Sequence, residues 1–335
     1  MSSFPLGLTH LGPLDLPNAL SIQAALTAQG FGTTGNIYYC DAVNGNDNSG
    51  NGSLQAPVAS LAAGYALLVA GHNDVLVIIG NGASSGSQRI VSFTWAKSAA
   101  HLVGICAPSA LSQRARIANA TTSGLTMTTP FFTVSGSGCL FQNISLFHGA
   151  GAGQTGIAAD ILLTLSGSRC VFVNCDLEGM GDSTSATDAG SRDILISGGG
   201  EHLFQHCNIG LDTVIRTNAN ASVELKSGTA RNIFENCTFL FYSSDGLQYG
   251  ILANAAAAAD RFTLLKGCNA INAVGSGGTA EAVFAKLAAS SGGILCFDSG
   301  SGLFGFTAIG DATTKAQTYV SGGTATNGVK GVVAT

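Results

Sequence analysis

The chain has 335 residues, of which 10% are charged and 46 are glycine, and its formal net charge is −5 at pH 7. The charged fraction is far below the ~25% of an ordinary soluble chain, and 14 Lys+Arg without a basic cluster exclude the electrostatic footprint of a nucleic-acid binder. No apolar run approaches the ~18 residues of a membrane-spanning helix, and a surface this poor in charge predicts self-association.

Residues 1–35 read differently from the rest. Asn18 caps a short helix over residues 19–30 that Gly30 stops, the usual start and stop signals. Before it, Phe4-Pro5-Leu6-Gly7-Leu8 is apolar and irregular, which suits an arm that docks on another subunit. A helix capping the open end of a solenoid fits the same residues. The first nine residues carry neither a basic region nor an apolar core of a secretory signal. With nine cysteines (40, 106, 139, 170, 175, 207, 237, 268 and 296), an odd number, this predicts folding in a reducing compartment. The cysteines have neither C-x-x-C nor zinc spacing.

Next come a strand at Ile37-Tyr38-Tyr39-Cys40-Asp41, a turn rich in Asn, Gly and Asp, Pro57, a helix over residues 60–68 and a strand over residues 74–80. The oxygens of Asp41, Asn44, Asn46 and Asp47 are a candidate Ca²⁺ set, without the loop spacing or terminal Glu of an EF-hand. A tight turn accounts for the same residues.

From residue 132 the sequence repeats. Leu140-Phe141-Gln142-Asn143-Ile144 is followed by Val171-Phe172-Val173-Asn174-Cys175, Leu203-Phe204-Gln205-His206-Cys207, Ile233-Phe234-Glu235-Asn236-Cys237 and Leu264-Leu265-Lys266-Gly267-Cys268, one copy every 30 to 32 residues. Two residues after each copy stand Leu146, Leu177, Ile209, Phe239 and Ala270. A β-rich run precedes each copy (132–134, 161–165, 194–196, 223–225 and 251–252), separated from it by Gly/Ser turns. Helical repeats need a 3.6-residue period, which is missing. What remains is a solenoid of parallel strands, one coil per ~31 residues. Phe172 and Cys175 both belong inside yet are three apart, so strand parity breaks; a corner at Val173-Asn174 restores it, Asn tolerating a left-handed backbone. Stacking then predicts an amide ladder of Asn143, Asn174 and Asn236, interrupted by His206, and an internal file of Cys175, Cys207, Cys237 and Cys268.

The order strand, Asn/Gly/Asp turn, helix, first coil strand over residues 36–80 resembles the opening of pectin-lyase-like right-handed parallel β-helix domains, as found in phage tailspikes and other virion proteins. The resemblance covers roughly residues 36–300. It implies an all-β, single-stranded right-handed parallel β-helix over 36–335 with an N-terminal attachment or cap segment over 1–35, and a homotrimer, as is common in the virion members.

Sugar-cleaving members of that superfamily use paired or triple carboxylates on an exposed face. Asp176 and Glu178, with Asp212 from the next coil, are the candidates for such a role. Asp182, Asp188 and Asp193 fall in the long segment between coils, and Glu235 stands in the outward column between Gln205 and Lys266. No register fixes a carboxylate pair, and one Trp with six Tyr offers few sugar platforms. The expected function is a non-enzymatic virion protein, a trimeric capsid decoration or cement protein or a spike, attached to a major capsid or other virion protein through residues 1–35. The expected location is the virion, assembled in host cytoplasm, with no cofactor, nucleic acid or membrane. The alternative is a tailspike depolymerase that binds and cleaves host polysaccharide; a secreted lyase would call for the missing signal.

Overall fold

The computed structural model describes residues 35–82, 86–106, 115–253, 255, 257–274, 278–287, 293–298 and 300–310, with the backbone of 318–320. The arm expected over residues 1–35 lies, but for its last residue, outside them. Among the described residues the strands, parallel throughout, form three sheets of ten, eight and eight strands in which each strand pairs with its equivalent one coil away. The chain is a right-handed parallel β-helix.

One coil shows how the sequence makes three sheets. Val171–Val173 lies in the first sheet, between Leu140–Gln142 and Leu203–Gln205, with Phe172 opposite Phe141 and Phe204. Asn174 then adopts φ 53° and turns the chain into the second sheet, where Asp176–Glu178 pairs with Ile144–Phe147 and Asn208–Gly210. A longer segment leads to the third sheet, where Arg192–Ile196 lies between Ile161–Leu165 and Ala221–Leu225. Gly/Ser turns return it to the first sheet. The sequence columns are thus rungs about 4.8 Å apart.

Asn143, Asn174, His206 and Asn236 share the left-handed corner, at φ 55°, 53°, 54° and 52°. Asn174 Nδ2 donates to Asn143 Oδ1 at 3.1 Å and Asn143 Nδ2 to the Gly104 carbonyl at 2.8 Å. The amide ladder holds from Gly104 through Asn143 to Asn174; His206 and Asn236 share its left-handed backbone, and Asn236 lies beyond the interruption at His206.

Inside, Phe141, Phe172, Phe204 and Phe234 stack with ring centres 4.7, 4.9 and 4.7 Å apart and planes within 9° of parallel. Beside them, Cys175, Cys207, Cys237 and Cys268 stand in file, all buried and free. Each thiol donates to the carbonyl of a phenylalanine one coil below: Cys175 to Phe141 at 3.4 Å, Cys207 to Phe172 at 3.4 Å, Cys237 to Phe204 at 3.3 Å and Cys268 to Phe234 at 3.2 Å. A small, weakly polar side chain fills the corner and gives its thiol to a carbonyl there.

The expected helix is Leu61–Leu67 (α1), capped by Ser60, whose hydroxyl accepts from the Ala63 amide. Gly64 lets it close on Leu76, whose Cδ1 would lie 2.6 Å from a Cβ there. Lys97 Nζ donates to the carbonyls of Tyr65 and Leu68, both at 2.7 Å, and lies 4.5 Å from the Tyr65 ring centre, so a cation meets the orphan carbonyls of the helix C-terminus.

Candidate functional site

Leu177 packs inside, in register with Leu146 and Ile209, so its neighbours Asp176 and Glu178 leave from the outer face of the second sheet, their Cα atoms about 6.6 Å apart. Neither meets solvent, at 0% and 6% exposure. Asp176 Oδ1 accepts from Asn208 Nδ2 at 2.7 Å. The third expected partner does not join them. The strand Asn208–Gly210 ends before Asp212, which is exposed on the loop beyond, so Asn208 rather than Asp212 stands beside Asp176.

The acids expected between coils separate by role. Asp182 caps the short helix Ser183–Ala186 (α2) through the amides of Thr184 and Ser185. Asp188 Oδ1 accepts from the Ala159 and Gly190 amides. Asp193 is not a loop acid: it belongs to the strand Arg192–Ile196 and is fully buried. The corner into the third sheet turns this position inward, as it does the fully buried Leu162 one coil below. Glu235 is where the column placed it, accepting from Lys266 Nζ at 2.6 Å and Gln205 Nε2 at 3.3 Å.

The oxygen-rich turn is occupied with its own backbone. Asp41 Oδ1 accepts from the Val43 and Asn44 amides and its Oδ2 from Asn44 Nδ2. Asn46 Oδ1 accepts from Asn48 and Ser49, and Asp47 Oδ1 from Ala59 and Ser60. These oxygens brace three successive turns, and among the described residues no group of three His, Cys, Asp or Glu could hold a metal.

Two arrangements went unrecognised in the sequence. The first is a buried polar seam under the loops between the second and third sheets. Arg216, 2% exposed, donates through Nε to Asn220 Oδ1 at 2.9 Å and through Nη1 to Ser222 Oγ at 3.3 Å, with Asp193 Oδ2 3.8 Å away and the Phe241 ring centre 5.0 Å away. Burial pushes the Asp193 carboxyl up to about 6 against the pull of Arg216, and pushes Glu281 up to about 7. Glu281 Oε2 accepts from the Gln248 amide at 2.9 Å. In the same region His148 Nδ1 lies 3.0 Å from both Asp160 oxygens. Perturbed carboxyls beside an arginine are a common mark of catalytic sites, but a substrate cannot reach groups this deep, so this seam ties loops to the solenoid.

The second is open to solvent. At the turns entering the first sheet, Arg169, Glu201 and Arg231 occupy the same place in three successive coils, each left-handed at φ 57°, 59° and 55°. Their side chains consequently line up across the rungs. Arg169 Nε donates to Glu201 Oε2 at 2.6 Å and Arg231 Nη1 to Glu201 Oε1 at 3.0 Å. They border a groove of about 250 Å³ that Ser168, Gly199, Gly200 and Ala230 complete. A Cβ on Gly199 would strike the Gly167 carbonyl oxygen and one on Gly200 that of Ala230, so the floor is bare backbone. The signal that would have revealed it is the position of charges in the Gly/Ser turns, one coil apart.

No family model matches the sequence, and no curated protein matches it. Solved structures do match. A pectin methylesterase in complex with a hexasaccharide superposes with a TM-score of 0.53 at 14% identity over 90% of this chain and 93% of its own. For pectin methylesterase PemA from Erwinia chrysanthemi the values are 0.52, 14%, 90% and 93%, and for pectate lyase Pel9A 0.50, 14%, 91% and 80%. The fold is that of the pectate-lyase-like β-helices. At this identity the likeness establishes architecture alone, and the virion part of the resemblance finds no support in these structures.

Proposed function

We propose that this chain is a polysaccharide-directed β-helix protein that binds an extended glycan laid across its coils. The observation that carries the reading is the open, glycine-floored groove at Arg169, Glu201 and Arg231. It crosses three coils, is lined by hydrogen-bonding groups, and is reachable where the buried acids are not. The structural neighbours, named for pectin and pectate, agree with a glycan as the ligand, and this reading replaces particle decoration as the leading one. Particle attachment through residues 1–35 and a homotrimeric state stay compatible proposals.

The test is electrophoresis of the full chain through gels cast with polygalacturonate, methyl-esterified pectin or neutral dextran. Retardation by at least one polysaccharide is expected; free migration in all three overturns the reading. A cleaving activity is the second reading, favoured by the neighbours named as pectin methylesterase and pectate lyase, and the buried Asp176 and Glu178 do not serve it. It requires release of reducing ends by the wild type. Binding without release leaves the chain a glycan-binding protein.

A further inference from the structure

Resting on that glycan reading, we infer that the groove is a subsite for an anionic substituent of the sugar, such as a uronate carboxylate, gripped by Arg169 and Arg231 with Glu201 as their brace. Glu201 receives one hydrogen bond on each oxygen, from a different arginine, so a single carboxylate holds two guanidiniums in place. Each guanidinium has five N–H donors in a fixed fork, and the bonds to Glu201 engage one from each. The other donors belong to side chains that are 75% and 50% exposed at the border of the groove. Two cations against one anion leave the triad with a net positive charge, and a planar guanidinium fork matches a carboxylate better than a hydroxyl.

Spacing supports a repeating ligand. Arg169 and Arg231 are two rungs apart, about 10 Å, and Arg261, left-handed at φ 59°, continues the row one rung further, beside Asp260 at 3.0 Å. An extended glycan crossing the coils would meet the two braced cations along its length. An exposed ion triad without a ligand contributes little to stability, and the glycine floor keeps space beside it that a purely structural ion pair does not need.

The experiment measures polygalacturonate binding to the full chain by affinity electrophoresis, with methyl-esterified pectin and neutral dextran as controls and thermal unfolding as a check on folding. Wild type is expected to bind polygalacturonate in preference to both controls, with affinity falling as salt rises. The double variant Arg169→Gln/Arg231→Gln should lose affinity at least about tenfold, one hydrogen-bonded charge pair being of that order, with an unchanged unfolding midpoint. Equal binding to the esterified or neutral polymer, or wild-type affinity in the double variant, would each overturn the anionic subsite while leaving the glycan reading standing. Failure to bind any polysaccharide would overturn both.

Discussion

Asp193 and Glu281 hold their protons far more tightly in the folded chain than in water, because burial disfavours the ionised form. A carboxyl whose pKa is raised by folding contributes stability that is fully present below its unfolded value near 4 and is lost as pH rises through the folded value. For these two, the loss spans the interval from about 4 to about 7. On the acid side the sign reverses: the hydrogen bond from Lys266 holds Glu235 below its usual range, so its contribution disappears as pH falls through the carboxylate range. Burial also holds His202 down at about 4, which adds stability as pH rises towards 6.5 and opposes the two carboxyls there. The unfolding midpoint should therefore fall less between pH 5 and pH 8 in Glu281→Gln than in the wild type, and an identical pH dependence in the two would show that the seam is solvated. Thiols give a second check at this scale. Seven cysteines are buried, and only Cys106 and Cys296 are partly exposed; burial also pushes Cys175 and Cys207 well above the usual thiol range. A thiol reagent should label at most two groups in the native protein and all nine after denaturation.

At the scale of the element, the corner and the ladder beside it carry most of what defines a coil. Asn174 combines a left-handed backbone with a side-chain bond to Asn143. Replacing it by Ala forfeits both, and should lower stability by about 2 kcal/mol, combining left-handed strain with a lost hydrogen bond. Asn174→Gly keeps the backbone freedom and should lose about 1 kcal/mol. Phe172 is sandwiched between two rings, and Phe172→Ala should lower stability by about 3–5 kcal/mol. Urea unfolding ranks the three, and equal effects for Ala and Gly at position 174 would dismiss the backbone part of the account. These elements were readable in advance because a solenoid repeats its own solution: Phe, Asn and Cys recur at fixed places, and each column reports one environment. The second sheet was legible only as Leu146, Leu177, Ile209, Phe239 and Ala270, since the polar residues around these positions hide a strand of three or four residues.

Over the whole molecule, each coil contacts only its neighbours, so stability accumulates along the axis. The interior coils are stapled on both sides, whereas Gly302–Phe304 and Phe306–Gly310 are the last strands of the second and third sheets, with Phe304 57% exposed. Amide exchange should be slowest in strands such as Val171–Val173 and Arg192–Ile196 and fastest, among the described strands, near Gly302–Gly310. Uniform protection along the axis would indicate a single cooperative block.

The repeat alone determined the fold class, the coil length, the left-handed corner and the internal files of Phe and Cys, because periodic burial writes itself into sequence as periodic composition. Tertiary structure alone decided which charges face what. Asp193 looks like a loop acid until the corner turns it inward beside Arg216; Asp176 looks exposed until the packed surface removes it from water. Arg169, Glu201 and Arg231, separated by 32 and 30 residues, meet only because one lap of the chain advances by a single rung. Local sequence sets the conformation of a turn, while the partner of a side chain is set by stacking between coils, and no local pattern encodes that.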